Sequence, residues 1–231
     1  YPHHIAIGAG VSLNHAFAAL VEQRPQLQAF FDRFAGHPVR NAGTIGGNIG
    51  NGSPIGDSMP VLIALGANLV LSRLNGKNIE HREIALDQLY TGYRTNILKA
   101  DEIISWIKVP TATGQLMQAY KISKRQEDDI SAVCLALEIE IENQTITKAS
   151  MGLGGVSATP VRAQQTQAFL VGKVWSLETL QQASICLQNE FQPISDMRAS
   201  SKYRSLVLGS LLQRFWYDHQ SQTISNLNQL R

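Results

Sequence analysis

The chain has 231 residues, of which 44% are apolar and 16% are charged, and its formal net charge is +2. This length and composition predict a globular protein of one large domain or two small ones. Because charges of both signs alternate, and no apolar run approaches the roughly 18–20 residues that span a bilayer, we expect neither nucleic acid nor a membrane as a partner.

The predicted elements of the first half are short and mixed. They are a strand over 4–7, helices over 12–23, 25–36 and 59–65, a hairpin of strands 67–72 and 78–82, and a strand over 103–109. Ser12 and Pro25 are typical residues at a helix start, and Pro110 stops the last strand. The pair Asn75-Gly76 is a strong indication of a hairpin turn.

The second half has a different pattern, in which alternating strands precede helices. Strands are predicted over 115–123, 131–142 and 145–152, and helices over 161–170, 177–191 and 199–219. A sheet followed by helices is typical of an α+β domain. We place the boundary near residue 112, so that the two predicted domains cover 1–112 and 113–231.

The chain contains two cysteines, Cys134 and Cys186, and six histidines. Both thiols lie in apolar patterns and are predicted to be buried. Four thiolates normally hold an iron–sulfur cluster, and no histidine falls in a zinc-binding spacing, so we expect no metal site here. This use of cysteine, and an amino end without a signal-peptide pattern, fit a reducing cytoplasm.

The run from Asn41 to Ser58 is the most informative part of the sequence. It holds six glycines and many small polar residues, and only Ile45, Ile49 and Ile55 are bulky. We predict backbone that packs against a flat or phosphorylated ligand, and not a core element. The glycine spacing is not the dinucleotide fingerprint, and no lysine ends the run as in an NTPase phosphate loop. A compact surface loop without a ligand is the alternative.

The segment 41–57 resembles the flavin-binding loop of the FAD subunit of the xanthine dehydrogenase family, the molybdenum hydroxylases. Two further segments match that family in the same order. The segment 91–95 is similar to its Gly-Tyr-Arg-Lys-Thr turn, and 119–130 is similar to its strand and loop with a Lys and an Arg-Glu-Asp-Asp-Ile run. The likeness covers nearly the whole chain and points to the small subunits of bacterial xanthine dehydrogenases.

The resemblance implies an α+β fold. It would be the second half of a two-subdomain FAD-binding fold, followed by a smaller domain with a three-stranded antiparallel sheet and a helical layer. The iron–sulfur part and the first FAD subdomain of the family have no counterpart in this sequence. We therefore expect a fragment or truncated product that keeps only part of the FAD cradle.

The resemblance also implies a set of FAD-binding residues. They are Phe34, Thr44, Ile45, Gly46, Gly47, Asn48, Asp57, Ile104 and Lys121. Phe34 and Ile104 would lie on the two faces of the isoalloxazine ring. Thr44 and Asn48 would hydrogen-bond the cofactor, and the two glycines would let the backbone approach its diphosphate. Asp57 would bind the ribityl or ribose hydroxyls.

Several of these residues also have an ordinary structural interpretation. Phe34 and Ile104 could be core residues, and Asp57 could be a helix cap worth ~1 kcal/mol. Lys121 would stabilise negative charge on the reduced flavin in the family, but it could be a surface lysine whose stem covers apolar surface.

The nicotinamide site is implied at Tyr93 and Asp128. Tyr93 lies in the Gly-Tyr-Arg turn and could form a wall of that site. Asp128 belongs to a cluster of mixed charge, which in the family lies beside the flavin and could otherwise be a solvated loop. This cluster consists of Lys124, Arg125, Glu127, Asp128 and Asp129.

The implied function is electron transfer within a molybdenum hydroxylase. Electrons would pass from 2Fe–2S clusters through FAD to NAD while xanthine or hypoxanthine is oxidised at a molybdenum cofactor in a large subunit. The partners would be that subunit and the iron–sulfur domain, in a hetero-oligomer. No catalytic side chain is expected, since the flavin itself carries hydride. The alternatives are a sister flavoprotein subunit, from a carbon monoxide dehydrogenase or an aromatic hydroxylase, or a non-catalytic interaction module without flavin.

Overall fold

The computed structural model describes residues 3–126 and 128–220. The first half of the chain contains short strands and helices, with 3-10 turns at Pro25–Leu27 and Leu86–Gln88. They are β1 (His4–Gly8), α1 (Leu13–Gln23), α2 (Gln28–Phe31), α3 (His37–Ala42), α4 (Ile45–Asn51), α5 (Ser58–Ala64), β2 (Asn68–Asn75), β3 (Asn78–Ala85), β4 (Tyr90–Gly92), β5 (Thr95–Asn96) and β6 (Glu102–Pro110).

The second half contains four strands followed by three helices. They are β7 (Leu116–Ile122), β8 (Val133–Glu142), β9 (Thr145–Gly154), β10 (Val161–Arg162), α6 (Gln164–Leu170), α7 (Leu177–Glu190) and α8 (Ser201–Asp218). The predicted cluster member Glu127 and the residues beyond 220 lie outside the described residues.

Two four-stranded antiparallel sheets organise the molecule. The first has the strand order β1-β6-β2-β3, and the second has the order β10-β9-β8-β7. The predicted hairpin is confirmed, because Asn75 pairs with Asn78 and Gly76 adopts a left-handed φ of 61°. The α+β class and the three predicted strands of the second sheet are also confirmed. The short strand β10 joins them where the sequence predicted the start of a helix.

The second sheet separates two apolar cores. One face packs on helices α6–α8, where Leu180, Leu208 and Phe215 are fully buried. The other face contributes Cys134 and Ala136 to the core of the first half. The two halves therefore share a buried contact surface, which we call the seam.

Helix α5 lies in the seam between the two halves, and every one of its residues is buried. It approaches β9 so closely that a Cβ atom on Gly152 would lie 2.0 Å from the carbonyl oxygen of Pro60. No side chain fits between these backbones, so Gly152 sets the position of α5 against the second sheet.

Three predictions about local structure were wrong in part. The helix expected over 25–36 is a 3-10 turn followed by the four-residue α2, and Ala35 has a left-handed φ of 48°. The glycine-rich run includes helix α4, and Ile45 and Ile49 are fully buried, so part of it is a core element. Cys186 is half-buried, while Cys134 is fully buried as expected.

Within the described residues, no helix combines the length and the apolar character that crossing a bilayer would need.

Candidate functional site

Helix α4 is anchored to the turn between β1 and α1. The backbone N–H of Gly46 donates to the carbonyl of Ala9 at 2.9 Å, and the N–H of Ile45 donates to that of Val11 at 3.0 Å. A Cβ atom on Gly46 would lie 2.5 Å from the Cβ atom of Ala9. Gly46 therefore permits close packing against Ala9 of the protein itself. The resemblance had implied a close approach to the cofactor diphosphate.

The exposed side of α4 carries the polar groups of the glycine-rich run. The Thr44 hydroxyl accepts the N–H of Gly47 at 3.1 Å and caps the helix. Gly47 is exposed, and the half-buried Asn48 accepts a hydrogen bond from the Ser58 hydroxyl. Because Ser58 follows Asp57 and is the first residue of α5, this bond holds the start of α5 against α4 within the glycine-rich run.

Asp57 and Lys121 form an ion pair inside the seam, with side chains that are only 5% and 4% exposed. The Lys121 ammonium donates to Oδ2 of Asp57, and the Ser131 hydroxyl donates to the same oxygen at 2.8 Å. Lys121 also donates to Ser131 at 3.0 Å. Two structural alternatives are therefore wrong: Asp57 makes no helix-capping bond with its side chain, and Lys121 is not a surface lysine.

Sequence reasoning did not single out Ser131. It lies two residues before β8 begins at Val133, shortly after the charged cluster of residues 124–129, which we call the acidic loop. The available indication was a small polar residue at the start of an apolar run, which many surface strands also show. Only the packing of the two halves reveals its partner.

The other carboxylate oxygen of Asp57 has no partner. Oδ1 is buried and accepts no hydrogen bond from any residue that the structure describes. A buried polar group left unpaired costs about 1–3 kcal/mol, and more when it is charged. Native structures rarely leave such an oxygen unsatisfied, so a donor from water or from a ligand is expected there. The structure describes a second buried carboxylate oxygen in the same state, Oδ1 of Asp218.

Arg33 attaches the segment after β7 to the first half. Its guanidinium donates to the carbonyl of Lys121 at 2.8 Å, to the Ser123 hydroxyl at 3.1 Å and to the carbonyl of Gln126 at 3.0 Å. Burial lowers the pKa of Arg33, and the nearby Asp57 carboxylate opposes that change. A groove of about 430 Å³ opens beside these contacts, between the 26–33 segment and β7.

The acidic loop lies against the turn before α3. Asp128 is exposed with a left-handed φ of 50°, and its carboxylate oxygens lie 3.2 Å from where a Cβ atom on Gly36 would be. The N–H groups of Arg125 and Ile130 donate to Asp129 and lower the pKa of its carboxyl. Asp129 is thus held by hydrogen bonds from its own loop, while Asp128 is exposed as a solvated loop residue would be.

The two residues predicted to contact the isoalloxazine ring, and Tyr93 predicted for the nicotinamide site, occupy different environments. Phe34 is buried and meets Phe17 edge to face, with centroids 4.9 Å apart. Ile104 is half-buried, and its side chain approaches Gly50 at the carboxyl end of α4. Tyr93 is 59% exposed in the turn between β4 and β5.

The ribbon that carries Tyr93 is itself attached to α4. The Tyr90 hydroxyl donates to the carbonyl of Ile49 at 2.9 Å. Burial raises the pKa of Tyr90, so this hydroxyl stays protonated and keeps its role as donor. The structure therefore gathers Thr44–Asn48, Asp57, Ile104 and Lys121 around α4 and the start of α5, with Tyr93 on an adjoining ribbon.

No metal centre is present in the part of the chain that the structure describes: no three His, Cys, Asp or Glu side chains there are placed to hold an ion. The polar groups gathered around Asp57 and on the exposed side of α4 are hydroxyls, amides and the Asp57–Lys121 ion pair. Such groups suit a ligand with hydroxyl and phosphate groups, as in a nucleotide cofactor.

Two family descriptions match the chain and agree with this class of site. Residues 2–112 match the FAD binding domain in molybdopterin dehydrogenase, and residues 118–219 match the CO dehydrogenase flavoprotein C-terminal domain. Fold and site thus define an α+β flavoprotein. The chain belongs to the FAD-binding flavoprotein family of the molybdenum hydroxylases, and the resemblance read from its motifs is confirmed.

Individual relatives differ in what they act on. A xanthine dehydrogenase of Emericella nidulans is 36% identical over 82% of this chain, and a nicotinate hydroxylase of the same organism is 35% identical over 79% of it. A carbon monoxide dehydrogenase chain from Hydrogenophaga pseudoflava superposes with a TM-score of 0.82 at 28% identity, covering 91% of this chain and 73% of that one. This chain spans 14% of the length of the two curated relatives.

Proposed function

We propose that this chain holds FAD at the seam, with a ribityl or ribose hydroxyl of the cofactor donating to Oδ1 of Asp57. The observation that carries the proposal is the buried oxygen without a partner. A sugar hydroxyl supplies the missing donor without bringing a charge. Because Asp57 is only 5% exposed, the ligand must displace side chains that cover the carboxylate.

The other proposed FAD residues act by binding and orientation. Thr44, Gly47 and Asn48 present a hydroxyl, an open backbone and an amide on the exposed side of α4. Ile45 and Gly46 keep that backbone in place, since both are buried against the β1–α1 turn.

The proposed ring contacts are apolar side chains and one cation. Phe34 and Ile104 would bound the ring, and Lys121 would lie towards its pyrimidine end. When bound, FAD supplies the chemistry of hydride and single-electron transfer. The fixed positive charge of Lys121 would then favour the reduced, anionic flavin.

The specific reaction is part of the same proposal. We infer that the chain passes electrons from 2Fe–2S clusters to NAD in a cytoplasmic xanthine or hypoxanthine oxidising enzyme, beside a molybdenum-binding large subunit. Tyr93 and Asp128 would border the nicotinamide, and residues 1–112 and 113–231 would be separate domains. The xanthine dehydrogenase relatives support this choice, whereas the nicotinate hydroxylase and carbon monoxide dehydrogenase relatives support a sister enzyme.

An FAD titration of the purified protein tests the proposal. We expect quenching of flavin fluorescence and a structured shift of the visible band. Asp57→Asn removes the charge at nearly constant shape and should weaken binding by about 10- to 100-fold, because hydrogen bonds to charged groups contribute about 1.5–3 kcal/mol.

Asp87→Asn is the matched control. Asp87 also lies at the seam, but Arg162 donates to its carboxylate at 2.6 Å, and among the described residues it has no fully buried oxygen without a partner. The control should leave the FAD dissociation constant within about twofold. Equal weakening by both substitutions, or no uptake of FAD by the unaltered protein, would contradict the proposed site.

One observation favours a second function, the binding of another protein. The outer face of the first sheet exposes four apolar side chains at 48–68% of their surface: Leu74, Ile79, Ile103 and Trp106. Exposed apolar patches of this kind are common at protein interfaces. A protein that folds but takes up no FAD would favour this function.

A further inference from the structure

The Ser131 hydroxyl contacts both partners of the Asp57–Lys121 ion pair. Ser131 is 1% exposed, it donates to Oδ2 of Asp57 at 2.8 Å, and it accepts from the ammonium of Lys121 at 3.0 Å. It reaches Asp57 across the seam from the second half of the chain, whereas Asp57 precedes α5 in the first half.

The chemistry of the three groups fixes the direction of each hydrogen bond. An ammonium group can only donate, and an ionised carboxylate can only accept. The hydroxyl therefore accepts from Lys121 and gives its single proton to Asp57. Both donors act on Oδ2, so the triangle is complete without Oδ1, which stays unpaired.

We infer that Ser131 is a positioning residue that orients the Asp57 carboxylate, so that Oδ1 faces the ligand; this inference rests on the proposed function. The terminal torsion of an aspartate is broad, so a single donor constrains the carboxylate poorly. Lys121 has a long, flexible stem and is a weak constraint by itself. A second donor from a short side chain limits the rotation that would exchange the two oxygens.

Ser131 acts on the ligand only through Asp57, so the effects of the two residues must not add. Ser131→Ala should weaken FAD binding by about tenfold, as expected for one hydrogen bond to a charged group. In an Asp57→Asn background the same substitution should change the dissociation constant by less than about twofold, because the orienting bond no longer has its carboxylate. The flavin band of Ser131→Ala should also shift towards that of free FAD.

Ser150→Ala is the matched control. Ser150 is a buried serine on the neighbouring strand β9, and its hydroxyl accepts from the Arg162 guanidinium at 2.9 Å. A general effect of losing a buried hydroxyl at the seam would weaken FAD binding equally in both variants. Urea unfolding of all variants without FAD confirms that each is folded at the titration temperature.

The outcomes separate the two hypotheses. If the unaltered protein binds FAD and Asp57→Asn weakens binding, the proposed function stands. A Ser131→Ala dissociation constant within twofold of the unaltered value, or a full tenfold loss retained in the Asp57→Asn background, would then overturn the role of Ser131 alone. No FAD uptake by the unaltered protein would remove the proposed function and this inference together.

Discussion

Among the described residues, the two most buried ion pairs across the seam differ in whether a fully buried oxygen is left without a partner. Arg24–Glu138 and Asp57–Lys121 have nearly the same burial, with side chains 2% and 6% exposed in the first pair and 5% and 4% in the second. The Arg24 guanidinium binds Glu138 at 3.0 Å and the carbonyl of Pro110 at 3.2 Å. Among the described residues, Oδ1 of Asp57 is a fully buried side-chain atom without a partner, whereas no side-chain atom of Arg24 or Glu138 is in that state.

The comparison shows that burial of a charged pair does not by itself mark a functional site. Such pairs occur as structural links, and their desolvation cost can exceed their attraction. Burial raises the pKa of Glu138, although the Arg24 charge opposes that change. Asp57 differs in its unsatisfied oxygen, which is the atom proposed to accept from the ligand, so the two pairs should respond differently to substitution.

The largest expected effect is on stability at the structural pair. Glu138→Ala leaves the Arg24 guanidinium buried without its carboxylate, and it should lower the free energy of unfolding by about 3–5 kcal/mol. Urea unfolding measures this loss. At a temperature where the variant is folded, its FAD dissociation constant should stay within about twofold of the unaltered value.

A double substitution gives the control. Replacing both partners, as Arg24→Met with Glu138→Leu, removes the unpaired charge and should recover most of the lost stability. If the double variant were as unstable as Glu138→Ala, lost packing and not the stranded charge would explain the effect.

The second prediction concerns α5, which joins the two regions. Gly152→Ala places a methyl group only 2.0 Å from the carbonyl oxygen of Pro60, so the two atoms would clash. Overpacking of this kind costs about 1–3 kcal/mol. Because Asp57 immediately precedes α5, a displaced helix should weaken FAD binding as well as stability.

Gly10→Ala provides a neutral comparison for Gly152→Ala, since nothing lies within 4 Å of its Cβ position. Unfolding and FAD titration should both be unchanged there. Loss of stability in Gly152→Ala with full FAD affinity would show that the site tolerates movement of α5.

The third prediction tests whether the cap of α4 has a role beyond the helix. Thr44→Val removes the hydroxyl that accepts the Gly47 N–H and should cost about 1 kcal/mol of stability. Ser200→Ala removes an equivalent cap from α8, where the hydroxyl accepts the Tyr203 N–H at 3.2 Å. Similar stability losses are expected, but only Thr44→Val should weaken FAD binding. Parallel FAD titrations that gave the same dissociation constant would limit Thr44 to capping.

Local structure could be predicted where short-range chemistry decides it. The Asn75-Gly76 turn and the alternation of Val133, Leu135 and Leu137 produced a hairpin and a strand as expected. Strand β10 is too short for any periodic pattern, and it forms because β9 is there to pair with it. The helix expected after Pro25 ends early, at Phe31, and the chain turns sharply at Ala35.

The seam could not be predicted from the residues alone. Arg24 and Glu138 are 114 positions apart, and Asp57 and Lys121 are 64 positions apart, so no local spacing relates them. The motifs assigned a role to Asp57 and Lys121 through family resemblance, but they did not indicate Ser131 or the unpaired oxygen. Which buried pair is satisfied depends on tertiary packing at the level of single atoms.

The smallest expected effect is a pH dependence that belongs to Arg24–Glu138. The raised pKa of Glu138 means that the folded state binds a proton more tightly than the unfolded state. Between the ordinary glutamate pKa of ~4.3 and the raised value, stability from this group must therefore decrease as pH rises. The measurement is the free energy of unfolding of the unaltered protein minus that of the Arg24→Met, Glu138→Leu variant, followed upwards from pH 4. Groups common to both proteins cancel in this difference, so a difference that increased with pH would show that Arg24 overcompensates the burial of Glu138.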